Sequence, residues 1–259
     1  MGHIRNTALL AGIVGLALGG VASAQLTDEE FKCQTSTNKA SSKFVGSKAK
    51  CGIKCIGNAR KGLNPFSDCY APYGGTALVC VADPLKGAEI KFENAIRKAC
   101  DPTFKDGTDC PECYSAGDCT TEASDRVQNT EGQVDSFGPG VFCEQPGADD
   151  LETKCELNTA KVLSKLVGSV NKCFDKCNQN ARKGLISQST CVPPASDPVT
   201  TACIAKADGK SILGVNKKCG DVGAIPDCSA TDDYPNGSAW TNLVEIAISG
   251  TIPTTYCPN

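Results

Sequence analysis

One cysteine pattern occurs twice along this chain, and that repetition narrows the folds open to it more than any other feature. Cys33 to Leu63 aligns with Cys155 to Leu185 at a constant offset of 122, without a gap and with 18 of 31 positions identical. Both segments end alike, in Asn58-Ala59-Arg60-Lys61-Gly62-Leu63 and Asn180-Ala181-Arg182-Lys183-Gly184-Leu185. Such self-similarity marks an internal duplication. Downstream, Cys69, Cys80, Cys100, Cys119 and Cys143 correspond to Cys191, Cys203, Cys219, Cys228 and Cys257. Cys110 and Cys113 are left over, in a stretch that only the first copy has. The expected organisation is a leader over 1–24, a first module over 25–147 and a second over 148–259. The turn-rich stretch from Gly138-Pro139-Gly140 to Pro146-Gly147 marks the boundary.

The leader reads as a signal peptide. Arg5 supplies a short positive region, Ala8 to Val21 is apolar, and Ala22-Ser23-Ala24 is a small-x-small cleavage signal before Gln25. The apolar run falls short of the roughly 20 residues of a membrane span. All 18 cysteines follow the cleavage point. An even count in an exported chain implies disulfides, in the periplasm or outside the cell. Aromatic residues are 5% of the chain, so cross-links should supply stability that few large core anchors can give.

The modules read as helical hairpins. Thr27-Asp28-Glu29-Glu30 is a capping box, and Asp149-Asp150-Leu151-Glu152 places similar chemistry at the matching point. Cys33 and Cys51 are 18 residues apart, which is five helical turns, and Cys55 is one turn further, so the three share a face. Gly62 and Gly184 end these helices. A second arm carries Cys80 and Cys100, or Cys203 and Cys219, with Asp83-Pro84 and Asp197-Pro198 as start signals. Matching arm lengths predict nested pairs: Cys33–Cys100, Cys51–Cys80 and Cys55–Cys69, then Cys155–Cys219, Cys173–Cys203 and Cys177–Cys191. Exchanging the partners of Cys51 and Cys55 fits almost as well. The tails are expected to be irregular, with a short helix around Trp240 to Ile248 and the pairs Cys119–Cys143 and Cys228–Cys257. The fold class is all-α: two tandem disulfide-stapled antiparallel helical hairpin modules with irregular tails.

Much chemistry is excluded. The one histidine is His3, inside the leader, so the mature chain lacks the usual general base at neutral pH. Ser-His-Asp and Cys-His catalysis and histidine-containing zinc sites go with it. No cofactor is expected. All-cysteine zinc binding, through Cys51 and Cys55 or Cys110 and Cys113, ranks below disulfides in an exported chain. Cys110-Pro111-Glu112-Cys113 resembles a redox dithiol, but its surroundings read as loop, and a local structural bridge is the simpler expectation. A thiol oxidoreductase using Cys110 and Cys113, or a carboxylate hydrolase, is the rival to a binding protein. Glu89 and Glu93 share a helix face and read as solvated. Asp106-Gly107-Thr108-Asp109 and Asp232-Asp233 are weak calcium candidates without the EF-hand pattern, and Asn236-Gly237-Ser238 is a glycosylation sequon.

Lysines supply the most suggestive surface. Lys39, Lys43, Lys50, Lys54 and Lys61 recur at spacings of 4, 7, 4 and 7, and Lys161, Lys165, Lys172, Lys176 and Lys183 repeat them position for position. On a helix each set forms a narrow stripe about 90° from the cysteines. Two such rows suit an anionic polysaccharide, lipopolysaccharide or a lipid surface, with another protein as a further partner class, whereas a solvated flank is the plain alternative. The mature chain carries a formal charge of −4, and no aromatics interleave with the lysines, which argues against nucleic acid.

Cys33-Gln34, the Lys-rich helix to Lys50-Cys51, and Ile96-Arg97-Lys98-Ala99-Cys100 resemble exported cysteine-rich repeat proteins of Gram-negative bacteria that have no assigned function. The resemblance covers the hairpins and not the tails. It implies helical repeats and export, and brings no catalytic residues.

Overall fold

The computed structural model describes residues 26–104, 107, 110–142, 150–220 and 237–257. The leader, Cys143, Cys228, the Asp149 cap and both acidic turns fall outside them, apart from Gly107. Every regular element described is a helix: α1 (Asp28–Ala59), α2 (Gly75–Ala82), α3 (Ala88–Cys100), α4 (Cys119–Val141), α5 (Asp150–Arg182), α6 (Pro198–Cys219) and α7 (Gly237–Thr255). Short 3-10 helices at Phe66–Cys69, Ser115–Gly117 and Gln188–Cys191 link them.

Local chemistry sets the helix ends. Thr27 accepts from the Glu30 amide at 3.1 Å while Glu30 accepts from the Thr27 amide at 2.7 Å, the reciprocal capping box. Past the end of α1, Gly62 takes φ +69°, the Leu63 amide donates to the Asn58 carbonyl and the Gly62 amide to the Ala59 carbonyl. Gly184, at φ +71°, closes α5 with the same two bonds to Asn180 and Ala181. Only glycine adopts this conformation freely.

The second arms differ. Asp197 caps α6 by accepting from the Thr200 amide, and α6 runs unbroken. In the first half, Asp83 accepts from the Leu85 and Lys86 amides instead, and the arm breaks into α2 and α3 around Pro84. A Cβ at Gly87 would stand 2.5 Å from the Val81 carbonyl oxygen, so this tight joint accepts nothing larger than glycine.

Eight disulfides join the described cysteines, none of which is free. Both hairpins carry the nested pairs. Cys33–Cys100, Cys51–Cys80 and Cys55–Cys69 staple α1 to the second arm and the turn, and Cys155–Cys219, Cys173–Cys203 and Cys177–Cys191 repeat them on α5. The Cα separations agree between halves, 4.8 Å for both outer pairs and 5.8 Å for both middle ones.

The tail expectations need correction. Cys119 pairs with Cys110, and Cys113 with Cys257. The expected Cys119–Cys143 bridge fails because α4 is a continuous helix starting at Cys119. The 22-residue span to Val141 puts its far end about 33 Å away. Cys257 is bonded to Cys113, so its sulfur is not available for the expected bridge to Cys228. The tails are also less irregular than expected: α4 and α7 are helices of 23 and 19 residues. Helix α4 runs through Gly138-Pro139-Gly140, the stretch that reads as a boundary turn.

The two hairpins pack on one another. Asp28 pairs with Arg182, Ser42 meets Asn171 and Arg60 pairs with Glu156, so α1 and α5 run antiparallel. The core that results draws on both halves: Ile56, Val141 and Phe142 from the first, with Leu166, Phe174, Trp240 and Ile252 from the second. A smaller cluster around Phe44, Phe92, Ile96 and Tyr114 fills the first hairpin, and Phe44 and Phe92 stack at 4.9 Å.

Candidate functional site

The α1–α5 pair fixes where the lysines go. Residues of α1 that meet α5, such as Asn38 and Ser42, define one direction around the helix. At 100° per residue the lysine row lies about 130° from it. On the other flank, Lys48 turns toward α4, where it meets Glu131 at 2.6 Å and Asp135 at 2.7 Å. Antiparallel helices whose equivalent residues face each other are related by a two-fold axis normal to their plane. Both lysine rows therefore emerge on the same side of the pair, away from α4 and α7. That side is uncovered where it can be probed: a Cβ on Gly46 or Gly57 would meet nothing within 4 Å. All ten lysines are exposed. Among the described residues none of the ten enters an ion pair, in contrast to Lys48, Arg60, Arg97, Arg126 and Arg182.

Cys110 and Cys113 do not form a pair with each other. Each is tied to a different partner, so the sulfur-to-sulfur exchange that a redox Cys-x-x-Cys needs has no dithiol here. Zinc fares no better: among the described residues, the only three potential ligands close together are Cys33, Cys100 and Cys119, all held in disulfides.

The carboxylates hold a feature that spacing does not reveal. Glu89 on α3 bonds Glu131 on α4, and Asp208 on α6 bonds Glu245 on α7. Counted from the matched cysteines, Glu89 corresponds to Asp208 and Glu131 to Glu245, so the fold builds one acid pair twice. Burial, then the partner acid, pushes Glu89 and Glu245 each up to about 7. Glu89 is thus half-buried rather than solvated, while Glu93 lies 3.9 Å from Arg97. The acids of each pair touch, whereas glycoside cleavage needs carboxyls roughly 5 Å or more apart.

Sequence reasoning also missed a cavity of about 110 Å³ where α1, α4, α5 and α7 meet. Val45 and Val167, equivalent in the duplication, both line it, which places it on the approximate two-fold axis. Val134, Phe137, Leu163 and Ile248 add to its apolar wall, and Thr130, Gln133 and Asn171 are among the polar residues that also line it. No sequence signal marks it, because its walls come from four helices spread over the whole chain.

Comparison with protein-family profiles, with curated proteins and with solved structures finds no match to this chain. Fold and surface together define a disulfide-stapled all-α protein. No helix among its described residues is long and apolar enough to cross a membrane. Its cross-links suit an oxidising compartment.

Proposed function

We propose that the protein is a binding module of the periplasm or extracellular space that meets an anionic polymer or lipid surface through its two lysine rows. The observation that carries this reading is the exposure of all ten lysines on one side of the α1–α5 pair, none of them ion-paired among the described residues. Free ammonium groups on neighbouring helices sum into a positive face even on an acidic chain. Two rows joined rigidly also act at high effective concentration, so weak contacts add. The leader motif and the even cysteine count support export.

Retention on an acidic polysaccharide, on lipopolysaccharide and on vesicles containing anionic phospholipid tests the reading. The native chain should bind at least one of them and release as salt rises from low to physiological strength and above. Replacing the ten lysines by glutamine should abolish retention while leaving helicity intact. Equal retention of the variant, or no retention of the native chain on any of the three, overturns the reading.

A further inference from the structure

We infer that the cavity between α1, α4, α5 and α7 is a binding site for a small neutral alcohol, a hydroxyl on a hydrocarbon body of about six carbons. Volume caps the body: apolar cavities of about 150 Å³ hold benzene, and this one offers about 110 Å³, so a six-carbon body is the upper limit and would fill the hollow out to its open side. Chemistry sets the hydroxyl. Asn171 lines the cavity, is only 4% exposed, and its Oδ1 has no hydrogen-bond partner in the protein. The amide orientation is fixed by a chain of bonds. Ser42 spends its one hydroxyl proton on the Asn38 carbonyl, at 3.1 Å. Its oxygen must then accept, and the Asn171 Nδ2 donates to it at 2.9 Å. Oδ1 is the end left over, an acceptor without a donor on a side chain that lines the hollow.

A buried acceptor in that state is costly and calls for a donor. No lysine or arginine lines the cavity, so a carboxylate would be buried unpaired, and an ammonium would be stranded among Val45, Val134, Val167 and Ile248. A neutral O–H meets the one demand and violates none. The duplication sharpens the point. The residue equivalent to Asn171 is Ala49, which lines the same cavity and makes no such demand. The unpartnered acceptor thus belongs to one half only, while the other polar side chains of the lining, among them Ser41, Thr130 and Ser164, leave the hollow mostly apolar. Sites that expect a hydrogen bond discriminate strongly against analogues that lack it. This inference is independent of the lysine face, which lies on the other side of α1 and α5.

Calorimetry on the full oxidised chain tests it with phenol, cyclohexanol and hexanol against toluene, which has the shape of phenol without its donor, and against benzoate. One alcohol per chain should bind saturably, toluene about tenfold more weakly, and benzoate not at all. Asn171→Leu should bring phenol down to the toluene level while toluene still binds. Ala247→Phe, which fills the hollow, should abolish both with no loss of melting temperature. Absence of saturable binding by all three alcohols overturns the inference. So does equal affinity for phenol and toluene in the native chain, a comparison that does not depend on any variant folding.

Discussion

Asn38, Asp175 and Tyr256 meet in the buried seam between the two hairpins. The Asn38 amide donates to Asp175 Oδ1 at 3.0 Å and to the Tyr256 hydroxyl oxygen at 3.2 Å, and the Tyr256 hydroxyl donates to Asp175. Burial pushes the Asp175 carboxyl up, while the two hydrogen bonds pull the other way. The equivalent positions in the other half are Ala160, Ile53 and Phe142, all apolar. One seam position is thus solved twice, once with a polar network and once without. Tyr256→Phe alone should cost about 1–3 kcal/mol, because Asp175 stays buried with one donor fewer. Grafting the twin's residues, Asn38→Ala, Asp175→Ile and Tyr256→Phe together, should recover that loss or exceed native stability. Urea denaturation with the disulfides intact checks both, and a triple variant weaker than the single one would refute the argument. A second asymmetry lies nearby. Glu156 is 1% exposed and pairs with Arg60, whereas its twin Gln34 is buried with both side-chain polar atoms lacking a partner. Glu156→Gln should cost about 3–5 kcal/mol by leaving the guanidinium without its counter-charge.

At the scale of elements, the acid pairs clamp each closing helix to its hairpin, α4 to α3 and α7 to α6. Glu89 and Glu245 titrate near 7 in the fold against about 4.5 when exposed. The folded chain therefore holds protons that the unfolded chain releases, and stability falls as pH rises from about 4.5 through 7. Asp83, Asp101 and Asp118 act in the opposite sense. Hydrogen bonds hold them below the usual carboxylate range, so their contribution is lost only in strong acid. The melting temperature should peak near pH 4 to 5 and decline toward pH 8, and Glu89→Gln with Glu245→Gln should flatten the decline. A native profile that rises across that window would contradict the clamp. The hairpins themselves are legible in sequence, because cysteine spacing, the capping box and the paired glycines are local signals that agree with the packing. The closing helices are not. Helix α4 contains Gly132, Gly138, Pro139 and Gly140, and α7 contains Pro253, residues whose own preference opposes a helix. Contact with the hairpins and with each other overrides that preference. Arg126, for instance, crosses from α4 to the Thr255 hydroxyl at 2.8 Å. The lysine rows were visible as a period, but that both face one side depends on the antiparallel docking of α1 and α5, which no local pattern encodes.

For the whole molecule, the duplication is a unit of sequence and not of stability. The largest core takes Ile56, Tyr70 and Phe142 from one half and Leu163, Leu166, Trp240 and Ile252 from the other. Cys113–Cys257 adds a covalent link between the halves across 144 residues. Tyr114, fully buried in the first half, donates to the Thr255 carbonyl of the second. Either half alone would present its share of that core to water, a patch far beyond the isolated apolar residues that monomers tolerate. Three disulfides would still hold each hairpin's arms together, since those bridges lie within a half. Residues 25–147 and 148–259 made separately should thus keep much of their helicity but bind a hydrophobic dye and unfold without a sharp transition. Mixed under oxidising conditions, they should lose the dye signal and regain cooperative melting as one species. An isolated half that melts cooperatively as a dye-negative monomer would show that each copy is a domain in its own right. In that case the central cavity would be a seam between two finished parts rather than the middle of one.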